Sequence, residues 1–561
     1  MFSKIGLLIQ SASCAQVVLF AATAIDSVLV GADRRRKHWG WGFEDQQPTP
    51  AQARASAAAL GERLGMTLTQ VEEPVALESV ALPPPRIVAP ASLSEICAGD
   101  SHARASHALG KSYADVVRGF RGRFDHPPDF VAHPRDEHDV ERVLEWCAGQ
   151  RVAAIPFGGG TSVVGGVSPD VGPGYDGVVS VDLGALDRVL ELDEVSRAAR
   201  IQAGALGPSL EAQLGEHGLT LRHFPQSFEY STLGGWIATR AAGHFATVWT
   251  HIEDLVESVR AITPVGVWES RRLPGSGAGV SPDRMLAGSE GTLGVITEAW
   301  MRVQPRPSHR RSTGVRFDSF FAGVECARAI SQSGLHPSNC RLLDCGEAGL
   351  TMAADGSHAL LVLGFESTDH PVDAAMARAL ELCAEHGGLA SESRNGSGGD
   401  AVSSWRGAFL GAPYLRDMLV AVGVLGETFE TAITWERFPV LHERVIAAAE
   451  QAVRERCGGE GRVFCRFTHI YPDGPAPYFT VLAPARRGEE VEQWAAIKRA
   501  VSDAVLAAGG TITHHHAVGR DHRPWYDLQR PEPFAAALRG AKAAVDPRGI
   551  MNPGVLIDPL S

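Results

Sequence analysis

The run Pro156-Phe157-Gly158-Gly159-Gly160-Thr161-Ser162-Val163-Val164-Gly165-Gly166 constrains this chain more than any other feature. It follows an apolar, strand-like Val152–Ile155 and places five glycines in the nine positions 158–166. Glycine accepts positive φ and close backbone approach, so successive N–H groups can turn toward one anion. A pair of phosphates is the natural occupant. The run has no P-loop lysine and lacks the Rossmann spacing, so the diphosphate must be gripped by another architecture.

Two more glycine-rich segments follow. Pro225-Gln226-Ser227-Phe228-Glu229-Tyr230-Ser231-Thr232-Leu233-Gly234-Gly235 leads into Ala238-Thr239-Arg240-Ala241-Ala242-Gly243, and Gly288-Ser289-Glu290-Gly291-Thr292-Leu293-Gly294-Val295-Ile296 ends on a strand-like tail. A single glycine run is often only a tight turn. Three inside 158–296 suit an extended, bent cofactor with a diphosphate at its centre. The candidate cofactor residues are Pro156, Phe157, Gly158, Gly159, Gly160, Thr161, Ser162, Pro225, Gln226, Ser227, Ser231, Thr232, Gly235, Ala238, Thr239, Arg240, Ala241, Glu290, Gly291, Thr292, Leu293, Gly294, Val295 and Ile296.

A net charge of -13 argues against a nucleic-acid partner, which demands an excess of Lys and Arg. Local arginines in a cleft can still take an anionic substrate. Nine cysteines without a C-x-x-C pair read as reduced thiols in a cytoplasmic protein, with neither a zinc ribbon nor a disulfide framework. Ile5–Ala32 is long and apolar but carries Gln10, Gln16 and Asp26, and a basic run from Arg34 to Lys37 follows it. A membrane anchor and an ordinary amphipathic extension are both open there.

The organisation reads as an apolar N-terminal extension (1–36), a helical and linker region (37–125), a cofactor domain (126–307), a cap or substrate domain (308–500) and a closing segment (501–561). Residues 41–100 have a linker composition, with Pro83-Pro84-Pro85 at their centre. Ser112–Phe120 and Asp139–Gln150 read as helices, Gly177–Leu183 and Ala199–Ala203 as strands, Pro208–His217 as a helix. Further on, Val491–Ala508 and Pro533–Val545 are predicted helices. Thr511–His516 reads as a strand, which would put His514 and His516 on one side and His515 on the other. Imidazoles near an anionic site can donate hydrogen bonds or shuttle protons. A metal site joined by His469 and Asp473 is the competing reading, and no metal is the expectation. Arg341 lies in an apolar strand, where a charge is costly unless partnered, which favours a cleft. Arg416 offers a fork that matches phosphate, against the plainer alternative of an ion pair with Asp417.

The glycine loop, the segment Gly288–Ile296 and His133-Pro134-Arg135-Asp136-Glu137-His138-Asp139-Val140 together resemble the vanillyl-alcohol-oxidase class of FAD proteins, from about Gly110 to Leu556. The resemblance implies an α+β fold: a two-subdomain PCMH-type FAD-binding domain plus an α+β cap domain. Some members bond a histidine of the glycine loop to the flavin. Gly160-Thr161-Ser162 has none, which implies non-covalent FAD.

Within that class the chain resembles the alkyldihydroxyacetonephosphate synthase family. The likeness is carried by Trp39-Gly40-Trp41-Gly42, Ser338–Asp344, Tyr414-Leu415-Arg416-Asp417, Ala476-Pro477-Tyr478-Phe479 and Thr511-Ile512-Thr513-His514-His515-His516-Ala517-Val518-Gly519. It implies Tyr478 as the acid/base, with His514, His515 and His516 as catalytic partners, and Arg416 and Arg341 as substrate ligands. It also implies an acyl-for-alkoxy exchange on a lipid-like phosphorylated substrate with a fatty alcohol, peripheral membrane association, and a homodimer as a further option. The family has a cysteine where Ala476 stands and a lysine where Arg520 stands. The alternatives are a flavin-dependent dehydrogenase or oxidase of 2-hydroxy acids and a non-enzymatic flavin carrier.

Overall fold

The computed structural model describes residues 35–47, 49–68, 70–390, 407, 411, 415–459 and 461–558. The apolar stretch Ile5–Ala32, Arg34 and Tyr414 lie outside them. No helix among the described residues is long and apolar enough to cross a membrane.

The unbroken apolar run before the glycine loop behaves as a strand buried on both faces should. Val152–Phe157 pairs in parallel with Gly177–Asp182, which pairs in parallel with Phe130–Ala132; a short Cys97–Ala98 closes this four-stranded sheet. Helix Glu137–Gly149 makes the crossover, and Asp136 caps it by accepting the Asp139 N–H. The second sheet is antiparallel, in the order Val189–Asp193, Ala198–Gln202, Val295–Arg302, Val256–Thr263, Gly266–Glu269. These two sheets share one apolar core.

The third sheet has seven antiparallel strands, ordered Leu389–Ala390, His309–Phe317, Ala359–Ser367, Asn339–Leu343, Arg462–Ile470, Pro475–Pro484, Val424–Glu430. Side chains alternate along each strand. Phe429, Phe467, Phe479 and Leu342 join a core with residues of helices Phe320–Gln332, Asp373–Glu385, Phe438–Cys457 and Glu490–Ala508. The opposite face is left to Arg341, Arg466, Tyr478, Thr480, Thr428 and Glu430. This alternation is what gives the cap a polar wall.

Three expectations need correction. The linker-like stretch contains a helix, Pro50–Leu64, capped by Thr49 and Gln52 and ended by Gly65 at φ 67°. Helix Glu490–Ala508 runs through position 500, so the cap packs as a unit to Ala508. Thr511–His516 forms no strand. Its backbone N–H groups and the Thr513 hydroxyl serve a carboxylate instead, as described below.

Candidate active site

A cavity of about 1010 Å³ lies between the glycine loops and the polar wall of the cap sheet. Gly158–Ser162, Pro225–Ser227, Ser231, Thr232, Gly235, Ala238, Thr239, Ala241, Glu290, Gly291, Gly294 and Ile296 line it, as do Pro156 and Phe157. A Cβ on Gly159 would stand 1.6 Å from the Tyr230 carbonyl oxygen, and one on Gly158 would stand 2.2 Å from Thr232 Oγ1. The first two glycine segments therefore touch backbone to backbone and form one cradle. Gly160 and Gly291 hold φ values of 66° and 74°, which turn their loops toward the cavity. This set fits an extended dinucleotide with a diphosphate.

Four candidate cofactor residues stand elsewhere. Arg240 ends helix Leu233–Thr239 in the left-handed region and pairs with Glu253 at 2.8 Å. The Thr292 hydroxyl donates to the Ser289 carbonyl at 2.7 Å. Leu293 and Val295 are fully buried in the core beneath the third loop.

On the cap, Leu343, Arg466, Tyr478 and Glu430 are direct neighbours across four adjacent strands. They form one row on the cavity face. The Arg466 guanidinium lies 3.9 Å over the Tyr478 ring and pairs with Glu347. Its Nε has no protein partner. Arg341 lies two residues before Leu343, on the same face, and donates to the His244 carbonyl at 3.1 Å. Burial, and then the nearby Arg466, pull the Arg341 guanidinium down to about 9.

The histidine run is a turn. Glu430, at the end of the row, accepts the backbone N–H groups of His514 (2.5 Å), His515 (3.1 Å) and His516 (2.9 Å) and the Thr513 hydroxyl (2.5 Å). Consecutive N–H groups of a strand point to opposite edges, so three converging on one carboxylate exclude a strand. Ala517 and Gly519, at φ 73° and 55°, continue the turn. The side chains consequently do not alternate. His515 stacks on Tyr478 (centroids 6.2 Å apart, planes at 18°), and His516 meets the same ring edge-on at 5.7 Å. His514 turns away, its Nε2 2.6 Å from the Tyr471 hydroxyl, and it does not line the cavity. Burial holds His515 down to about 3 and His514, His516 and His469 well below the ordinary imidazole value, so all four are neutral at pH 7.

Ring nitrogens of His469, His514 and His515 lie within 4.8 Å of one another, whereas Asp473 is not in the group. Both nitrogens of His514 are engaged, by Tyr471 and, at 3.0 Å, by His515 Nδ1. His469 Nε2 lies 3.1 Å from the Gly243 carbonyl.

Arg416 also lines the cavity, and the carboxylate of the plainer alternative, Asp417, is taken. Asp417 is buried, pairs with Lys37 at 3.1 Å and accepts the Trp41 N–H at 3.0 Å. A Cβ on Gly40 would stand 2.4 Å from that carboxylate, so the Trp39–Gly42 motif is the brace that seats Asp417. Arg416 instead donates to the Lys111 carbonyl at 2.6 Å, and the Lys111 N–H donates to the Ser162 carbonyl at 2.6 Å. Arg416 is thereby tied to the first glycine loop. Asp417→Ala leaves Lys37 buried without its counter-charge, and chemical denaturation should show a loss of about 3–5 kcal/mol.

Arg466, Glu347 and Glu430 were not among the sequence candidates. Arg466 carried the same signal as Arg341, a cation inside an apolar strand. Glu430 carried none, because its partners stand 83 to 86 residues downstream.

Residues 128–270 match the FAD binding domain model, and residues 306–556 match the C-terminal domain of FAD linked oxidases. The chain is 30% identical over 485 residues to an alkyldihydroxyacetonephosphate synthase of Trypanosoma brucei brucei, covering 82% of this chain and 78% of the relative. The synthase of Dictyostelium discoideum gives the same identity and coverage over 484 residues. Glycolate oxidase subunit GlcD of Bacillus subtilis is 26% identical, covering 76% of this chain and 88% of the relative. A solved structure of alkyldihydroxyacetonephosphate synthase superposes with a TM-score of 0.76 at 26% identity, over 92% of this chain and 98% of its own. The cradle of glycine loops, the Tyr478 row and these likenesses agree: the chain belongs to the alkyldihydroxyacetonephosphate synthase family of FAD-binding proteins.

Proposed function

We propose that this protein exchanges the acyl group of acyl-dihydroxyacetone phosphate for a fatty alcohol. The observation that carries the reading is that neighbouring Arg466 and Tyr478 face the glycine cradle across one cavity, with His515 and His516 packed on the tyrosine. FAD, held without a covalent bond, supplies the electron-accepting ring that the exchange requires. Tyr478 takes and returns protons at the reacting carbon and the alcohol, with the Arg466 guanidinium 3.9 Å over its ring. Arg416 holds the phosphate through its fork, and Arg341 steadies the substrate from the cap wall. Ala59, Leu60, Leu350, Leu415, Leu419 and Leu482 line an apolar part of the same cavity, where long alkyl chains fit.

Peripheral membrane association belongs to this reading because its substrates are lipids; flotation with phospholipid vesicles tests it. A homodimer is also part of it, tested by sedimentation. A second reading, oxidation of a 2-hydroxy acid, is supported by the likeness to glycolate oxidase subunit GlcD. One experiment separates the two. The protein is incubated anaerobically with labelled acyl-dihydroxyacetone phosphate and hexadecanol, and in parallel with D-2-hydroxy acids and a dye acceptor. Ether product without dye reduction is expected; dye reduction without ether product selects the dehydrogenase.

A further inference from the structure

We propose that Glu430 is the positioning residue of the histidine turn and the counter-charge that allows His515 or His516 to hold a proton during turnover. The inference rests on the alkyl-exchange reading, because it gives those imidazoles work beside Tyr478.

The geometry is specific. Three successive backbone N–H groups and one hydroxyl converge on a carboxylate whose side chain is 1% exposed. Such a run of amides is an anion nest, here filled by the protein's own carboxylate. Glu430 is also the direct cross-strand neighbour of Tyr478. Its position therefore fixes the turn and the tyrosine against each other.

The charge matters as much as the placement. Glu430 Oε2 lies 3.4 Å from His515 Nδ1, and Oε1 lies 3.6 Å from His516 Nδ1. Burial works against ionisation of Glu430, but the imidazoles of His516 and His514 and the hydrogen bonds it accepts hold it below the usual carboxylate range. Tyr478 packs on both imidazoles, and Lys498, near His516, is itself paired with Glu427 at 2.9 Å. Arg466, Arg341 and His251 face His515; Lys498, His515 and His522 face His516. Glu430 is thus the anion on which an imidazolium here depends. When Tyr478 passes on a proton, its O–H bond breaks, an imidazole N–H bond forms, and the new cation is neutralised by the carboxylate; no electrons move.

Two pairs of variants test this. Glu430→Gln keeps the shape and removes the charge, and Glu430→Asp keeps the charge. Relative to wild type, Glu430→Gln should lower kcat for alkyl exchange about 100-fold, with KM and bound FAD unchanged. The acid limb of its kcat–pH profile should move down by about one pH unit, because the imidazole loses its counter-ion. Glu430→Asp should recover part of kcat and return the limb. An unshifted limb, or undiminished kcat, overturns the proposal. Should Glu430→Gln not fold, Thr513→Val against Thr513→Ser gives the decision: loss of the clamping hydroxyl should lower kcat about tenfold and the serine should restore it. Equal rates in the two overturn the proposal. Absence of exchange in wild type overturns the underlying reading instead.

Discussion

Tyr478→Phe should lower alkyl exchange to about 1 per cent or less, a loss of about 100-fold or more, as expected for removal of an acid/base group. The change deletes one oxygen. The ring remains buried at 5% exposure, remains beneath Arg466, and remains stacked on His515. Thermal stability should therefore shift little, by about 1 kcal/mol. FAD content should be unchanged, since Tyr478 belongs to the cap sheet and not to the glycine loops. The measurement is initial rate of ether formation on protein normalised by bound flavin. A variant with full flavin and full rate would remove Tyr478 from the chemistry and move attention to the histidine turn alone.

Gly159→Ala should cost the protein its flavin. The added methyl would lie 1.6 Å from the Tyr230 carbonyl oxygen and 2.9 Å from Ser231 Cα. Both are backbone atoms, so relief demands separation of the first two glycine segments rather than rotation of a side chain. Overpacking typically costs about 1–3 kcal/mol, and a contact with rigid backbone belongs at the upper end. The cradle opens where the diphosphate would sit, and FAD binding should weaken at least tenfold, about 1.4 kcal/mol. Gly149→Ala is the matched control: a Cβ there meets nothing within 4 Å. Visible flavin absorbance of the purified proteins distinguishes them, and full flavin in Gly159→Ala would contradict the cradle.

The parts of this molecule that were legible in its sequence are those set by local chemistry. Val152–Ile155 is apolar at every position and became a strand buried on both faces. Asp139–Gln150 has apolar residues at helical spacing and became helix Glu137–Gly149, which starts two residues earlier because Asp136 caps it. The three glycine segments had to meet one ligand, and they line one cavity. The histidine turn was not legible in the same way. Thr511–His516 has the β-branched start and spacing of a strand, but its conformation is dictated by Glu430, which contributes no pattern within the run. The helix Pro50–Leu64 was hidden by composition, although Thr49, Pro50, Gln52 and Gly65 are start and stop signals. The plainer alternative for Arg416, an ion pair with Asp417, rested on adjacency in sequence, whereas the buried partner of Asp417 is Lys37, 380 residues away.

Residues 546–552 bear on how the protein is made. The Ala154 N–H donates to the Ile550 carbonyl and the Asn552 N–H to the Ala154 carbonyl, so this late segment is stitched along the strand that delivers the first glycine loop. The Asn552 amide donates to the Gly166 and Glu290 carbonyls, and the buried Lys542 ammonium donates to the Thr292 carbonyl. The half of the protein that grips the nucleotide is therefore synthesised early and finished late. Packing of the cradle consequently depends on contacts of long sequence separation, whose loop-closure entropy makes them slow to form.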